Sequence, residues 1–129
     1  MTDDELIAEA RRARERAYAP YSEFQVGAAL RAADGRVFHG CNVENASYGL
    51  CNCAERTAFF TAIAAGVPVD GFERLAVIGD TEGPISPCGA CRQVIFELGG
   101  PALPVVLANL AGARRRTTAG ELLPDGFRL

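Results

Sequence analysis

Leu75-Ala76-Val77-Ile78-Gly79, Pro87-Cys88-Gly89-Ala90-Cys91 and Val105-Val106-Leu107-Ala108 decide the fold. The first and last are short, unbroken apolar runs, the pattern of strands buried on both faces. Between them Cys88 to Leu98 reads as a helix, introduced by Pro87 and closed by Gly99-Gly100, with Asp80, Gly83 and Pro84 marking the loop that enters it. Strands joined by a crossover helix run parallel in one sheet. Upstream, Gln25 to Ala32 and Arg36 to Cys41 are β-like runs joined by Asp34-Gly35, a tight-turn signal that makes this pair an antiparallel hairpin.

The flanking segments complete the order. Thr2 and Glu5 form a capping-box pattern, and Leu6, Ala10, Ala13 and Ala17 repeat at helical spacing until Ala19-Pro20. Thr57 to Ala65 continues a helix that begins near Cys53 and stops at Gly66 and Pro68. Arg114 to Thr118 reads as an edge strand, and Ala119 to Leu123 as a final helical turn before Pro124. The order α-β-β-α-β-α-β-β-α predicts an α/β fold, a three-layer α/β/α sandwich whose mixed sheet has about five strands. Its 129 residues fit a single domain spanning 1–129, with no repeat, linker or low-complexity stretch.

Composition removes several kinds of chemistry. With 49% hydrophobic and 22% charged residues the chain is far from disordered, collagenous or membrane compositions. All 13 basic residues are arginine, so a lysine Schiff base and a phosphate-binding P-loop are excluded. One histidine, His39, rules out a metal site of several imidazoles within one chain, and its place in an alternating strand reads as structural. A formal net charge of −3 argues against nucleic acid as partner, because such partners need a positive stripe. Arg11, Arg12, Arg14 and Arg16 are interleaved with Glu9 and Glu15 and read as a solvated helix face. The acidic start and the lack of an apolar run near membrane-spanning length predict a cytoplasmic protein without membrane attachment.

Cysteine and carboxylate chemistry remain. The five cysteines, Cys41, Cys51, Cys53, Cys88 and Cys91, are an odd number in a chain without an export signal, which favours metal binding or catalysis over disulfides. Cys88 and Cys91 share a face of a helix's first turn, and Cys53 stands at another helix start. Two helix N-termini can therefore bring three thiolates together, and their partial positive charge favours the ionised sulfur. Three protein ligands leave a fourth tetrahedral position for water, the mark of a catalytic zinc, and Glu55 falls beside it without being a ligand. Cys51 could instead join the other three in a closed structural site. A thioredoxin-like redox pair is a further reading of Cys88 and Cys91, although their place after the third strand does not suit it.

A cysteine two residues before a glutamate, followed by Pro-Cys-x-x-Cys, is the known zinc deaminase signature. Cys41-Asn42-Val43-Glu44-Asn45-Ala46-Ser47-Tyr48, Cys53-Ala54-Glu55-Arg56-Thr57-Ala58 and Ser86-Pro87-Cys88-Gly89-Ala90-Cys91-Arg92-Gln93 closely resemble the homotetrameric, zinc-dependent cytidine deaminases. So do Ala19-Pro20-Tyr21-Ser22, Phe24, Val26-Gly27-Ala28-Ala29, and Glu121-Leu122-Leu123-Pro124 with Phe127, so that the resemblance spans essentially the whole chain.

This resemblance implies deamination of cytidine and 2′-deoxycytidine in pyrimidine salvage, with one zinc per chain on Cys53, Cys88 and Cys91. It implies that Glu55 is the catalytic proton carrier and that Phe24, Asn42, Glu44 and Ala54 contact the substrate. Tyr48 and Phe127 would reach a neighbouring subunit's pocket in a homotetramer with composite active sites. Arg56 is the candidate for hydrogen-bonding the ligand sulfurs from behind, and Arg92 a weaker one. A sister deaminase acting on another aminated nucleoside and a non-enzymatic zinc module are the alternative readings of the same residues.

Overall fold

The computed structural model describes residues 1–129. Its elements are α1 (Asp3–Arg14), β1 (Val26–Ala32), β2 (Val37–Cys41), a 3₁₀ turn at Tyr48–Leu50, α2 (Ala54–Ala64), β3 (Phe72–Gly79), α3 (Gly89–Gly99), β4 (Pro104–Asn109), β5 (Arg114–Thr118) and α4 (Ala119–Leu122). The strands form one sheet in the order β2-β1-β3-β4-β5. β1 is antiparallel to both β2 and β3, β3 runs parallel to β4, and β5 returns antiparallel to β4. The expected mixed sheet of five strands is thus present.

Alternation along the central strands sorts side chains into two cores. Ala28, Leu30, Leu75, Val77, Val105 and Leu107 point to one face, where they pack with Ala58, Phe59 and Ala62 of α2 and with Cys91 and Ile95 of α3. Ala29, Ala76, Ile78, Val106 and Ala108 point to the other and receive Leu6, Ile7 and Ala10 of α1. Helices on opposite faces make the three layers. No helix is long and apolar enough to cross a membrane.

Two glycines set how closely the helices approach. A Cβ on Gly40 of β2 would lie 2.2 Å from the Ala54 carbonyl oxygen and 2.6 Å from the Ala58 nitrogen, so the first turn of α2 rests directly on the strand backbone. Gly27 plays the same part beneath α1, where a Cβ would lie 2.0 Å from the Ala10 carbonyl oxygen.

The first helix is shorter than its periodicity predicts. The Thr2–Glu5 capping box is formed, but α1 ends at Arg14, before Ala17 and Pro20. Backbone pairing takes over there: Tyr18 N–H donates to Asn42 O at 2.9 Å, and Glu44 N–H donates to Tyr18 O at 2.8 Å. This pairing draws the segment after α1 alongside residues 42–44 and leaves its next turn at Pro20–Ser22. Elsewhere the strands and helices fall within a few residues of their expected limits.

Because no rotamer change can relieve a backbone clash, Gly40→Ala is expected to destabilise the protein by about 1–3 kcal/mol or more. A lowered urea midpoint with an unchanged m-value would show this, and an unaltered midpoint would contradict the close packing of α2 on β2.

Candidate active site

Local backbone explains where the sulfurs point. Cys53 and Cys88 are the N-cap residues of α2 and α3, both with extended dihedrals, so their side chains project from the helix starts. The Cys88 sulfur accepts from Cys91 N–H at 3.5 Å, whereas the Cys53 sulfur makes no capping bond. With α2 and α3 packed on the same sheet face, the Cys53 and Cys88 Sγ atoms lie 3.8 Å apart, and all three Sγ atoms fall within 4.8 Å of one another. Cys91 is buried, Cys53 is half-buried and Cys88 is exposed, so the cluster runs from the core to the surface.

Crowding governs their ionisation. The Cys53 thiol is pulled down to about 5, first by a hydrogen bond from Cys91 and then by Arg56, against the opposing effect of burial. Cys91 is pushed up because it shares its proton with Cys53 and because it is buried. Of these two, Cys53 ionises first. Three ionised sulfurs at this separation need a divalent cation among them, and three soft donors with room for a fourth ligand suit zinc. Arg56 completes the fit: its Nη2 donates to Cys53 Sγ at 3.3 Å, and its buried Nε has no partner. One guanidinium offsets the net charge of about −1 that three thiolates would leave around Zn²⁺.

Glu55, the second residue of α2, is only 4% exposed. Burial is the main force raising its carboxyl to about 7, and the adjacent Cys53 charge acts in the same direction. Such a group can accept and return a proton near neutrality. Ala54, the first residue of α2, is fully buried against the Gly40 backbone.

The polar loop is joined to this cluster by reciprocal backbone hydrogen bonds of 2.9 Å between Val43 and Asn52, immediately before Cys53. Asn52 Nδ2 also donates to Thr57 Oγ1 at 3.1 Å, and that hydroxyl donates to Cys53 O at 3.1 Å. Asn42 uses its side chain on the backbone: Oδ1 accepts from Val26 N–H, and Nδ2 donates to Phe24 O, both at 2.8 Å. The Phe24 ring lies over the carboxyl end of β3, where a Cβ on Gly79 would come within 3.4 Å of its Cζ. Glu44 accepts from Tyr21 N–H at 3.0 Å, from Ser22 N–H at 3.1 Å and from the Ser22 hydroxyl. These donors hold its carboxyl below the usual range. Tyr48, 73% exposed, meets Tyr21 edge-on with ring centroids 6.0 Å apart. Together Tyr21, Ser22, Glu44, Tyr48 and Cys51 line a cavity of about 320 Å³.

Other expectations are placed differently. Arg92 does not reach the sulfurs; its guanidinium donates to Pro87 O, Leu122 O and Ser86 Oγ, tying the entrance of α3 to α4. Cys51 turns away from the cluster, accepting from Asn45 N–H at 3.2 Å and donating to Asn45 O at 3.6 Å. Phe127, 68% exposed, precedes Arg128, which donates to Glu97 O and Asp70 Oδ1 near the carboxyl end of α3, opposite the end bearing Cys88 and Cys91. A separate concavity of about 460 Å³ contains none of the three clustered sulfurs and is a polar notch lined by Arg12, Arg16, His39, Cys41 and Thr57. His39 pairs with Glu9 at 2.8 Å, a surface contact.

An α/β sandwich that gathers three thiols and a shielded carboxyl at two helix starts defines the zinc deaminase class. Comparison with known proteins narrows it. The family model for the cytidine and deoxycytidylate deaminase zinc-binding region matches residues 1–107. A cytidine deaminase of Sporosarcina psychrophila is 58% identical over 127 residues, covering 98% of this chain and 92% of that protein. The crystal structure of cytidine deaminase from Burkholderia pseudomallei is 66% identical, with a TM-score of 0.98 over 98% of this chain and 100% of that one. The cytidine deaminase structure from Mycobacterium tuberculosis is 40% identical, with a TM-score of 0.84 over 100% of this chain and 99% of that one. The chain belongs to the cytidine and deoxycytidylate deaminase zinc-binding family.

Metal analysis separates the sulfurs. Cys88→Ala is expected to lose most of the bound zinc, while Cys51→Ser keeps about one zinc per chain. Full occupancy in Cys88→Ala, or loss in Cys51→Ser, would contradict the three-sulfur set.

Proposed function

We propose that this chain hydrolyses cytidine and 2′-deoxycytidine to uridine and 2′-deoxyuridine, releasing ammonia, in pyrimidine salvage. It works in the cytoplasm as a homotetramer of single-domain chains spanning residues 1–129. The observation that carries this reading is the buried Glu55 carboxyl beside three sulfurs gathered from two helix starts.

Cys53, Cys88 and Cys91 would hold zinc, which when bound supplies the Lewis acidity that lets water attack an aminopyrimidine carbon near neutral pH. Glu55 carries the protons. It takes one from the attacking water and delivers it to N3 of the ring, then protonates the amine on C4 so that the C4–N bond breaks and ammonia departs. The water oxygen remains on C4 as the carbonyl. Of the water's two protons, one ends on N3 and the other on ammonia. One carboxyl suffices because the transfers are sequential, and its burial keeps bulk water from competing for the proton. Arg56 stabilises the sulfur cluster from the side away from substrate.

Recognition falls to the loops. Phe24 packs on the pyrimidine face, Asn42 and Glu44 hold the sugar, and Ala54 contributes from the first residue of α2. Asn42 has donor and acceptor capacity beyond its two backbone bonds, and Glu44 retains free lone pairs. Tyr48 and Phe127 serve a neighbouring subunit. The position of Phe127 supports this, since its neighbours lie roughly a helix length, about 15 Å, from the sulfurs of its own chain.

Two variants test the reading together. Glu55→Gln is expected to keep its zinc and fold but to lose at least about 10²-fold in turnover, because an amide cannot carry the proton. Phe127→Ala keeps an intact Glu55 but gives its neighbour a defective wall. Co-refolded in equal amounts, the pair should exceed the mean activity of the separate preparations, since some sites combine a sound Glu55 with a sound Phe127. Near-normal activity in Glu55→Gln would overturn the mechanism. Activity no higher than the mean, in mixtures shown by mass spectrometry to contain hybrids, would overturn the composite site.

A further inference from the structure

Ser22 lies between two groups that the proposed function assigns to substrate, and it is bonded to both. Its hydroxyl donates to Glu44 Oε2, and Ser22 Oγ itself accepts from Phe24 N–H at 3.0 Å. Asn42 closes the circuit by donating to Phe24 O at 2.8 Å. The backbone is bent to make this possible. Glu23, between Ser22 and Phe24, has φ 58°, a left-handed conformation that a non-glycine residue adopts only when its surroundings hold it there. A turn in which Glu23 N–H donates to Ala19 O at 3.0 Å holds it from the other side.

We propose that Ser22 is a positioning residue for nucleoside recognition: its single hydroxyl locks the Glu44 carboxylate and the Phe24 backbone into one rigid arrangement that receives the sugar. The chemistry selects this residue. A hydroxyl can donate once and accept at the same atom, whereas alanine does neither and an aspartate would set a second negative charge against Glu44. Losing the hydroxyl frees one carboxylate oxygen to rotate and releases the strained turn that fixes the position of Phe24. The cost appears where the sugar is held, not at the reacting carbon. Ser22 is exposed and outside every strand and helix, so its replacement leaves both cores intact.

The inference rests on reading Glu44 as the sugar-holding carboxylate, and the test separates the two. Calorimetric binding of the product uridine, and of the free base uracil, to the zinc-loaded protein reports recognition without chemistry. Ser22→Ala is expected to weaken uridine by about tenfold, the scale of one hydrogen bond to a charged group, and to leave uracil unchanged. For cytidine, KM should rise with kcat within about threefold of the wild type. In a Glu44→Gln background the further loss from Ser22→Ala should shrink to less than about twofold, because the two residues act as a unit. Unchanged uridine affinity, equal weakening of uridine and uracil, or a full tenfold loss in the Glu44→Gln background would each overturn the role of Ser22. A wild-type protein that binds neither uridine nor cytidine would overturn the nucleoside reading, and this inference with it.

Discussion

Three sulfur atoms held within 4.8 Å of one another cannot all be thiolates unless a cation lies among them, and much of this chain is organised around that constraint. Two helices must start at the same place for the sulfurs to meet. Both are anchored to one face of a five-stranded sheet, α2 by backbone contact at Gly40 and α3 through Cys91 and Ile95 in the larger core. Each helix start also contributes partial positive charge, and Arg56 contributes a full one. Together they favour ionised sulfur. Sheet, glycine, helix starts and arginine therefore form a single causal chain leading to one cluster.

Around that rigid centre the groups proposed to meet substrate are built on connecting segments. Phe24, Asn42, Glu44 and Tyr48 belong to the stretches that follow α1 and β2, which are fastened to each other through Tyr18, Asn42 and Val43 and to the cluster through Asn52. Most side-chain hydrogen bonds here run to backbone atoms, so the loops are braced by the same residues that line them. The sulfurs and Glu55 sit on helix starts fixed by a packed core, and the groups proposed for recognition sit on loops fixed by their own polar side chains. The two respond differently to substitution, since a change under α2 disturbs folding while a change in the loops alters binding first.

Much of this was legible in the sequence because it depends on local signals. The hairpin at Asp34-Gly35, the apolar strands at 75–79 and 105–108, and the helix bounds near Cys53 and Gly99-Gly100 follow from turn chemistry and periodicity. The convergence of Cys53 with Cys88 and Cys91 was legible because each sits at a helix start. What escaped was pairing between distant segments. α1 stops at Arg14 because Tyr18 bonds to residues 42 and 44, a long-range competitor that helical spacing cannot reveal. Arg92, next to Cys91 in sequence, turns toward Pro87, Ser86 and Leu122, and only the packing of α4 shows why. Asn52 belonged to no motif, and Ser22, although inside the Ala19-Pro20-Tyr21-Ser22 segment, carried no chemical role there, since the importance of both lies in the groups they connect.

The central claim is that three sulfurs, and not four, hold the metal. X-ray absorption at the zinc edge of the purified protein measures this directly. The account predicts three sulfur scatterers at about 2.3 Å and one lighter scatterer near 2.0 Å, as expected for an open zinc site with three cysteine ligands. Four sulfur scatterers would mean that Cys51 or Cys41 closes the site, and the arrangement would then be structural and not catalytic.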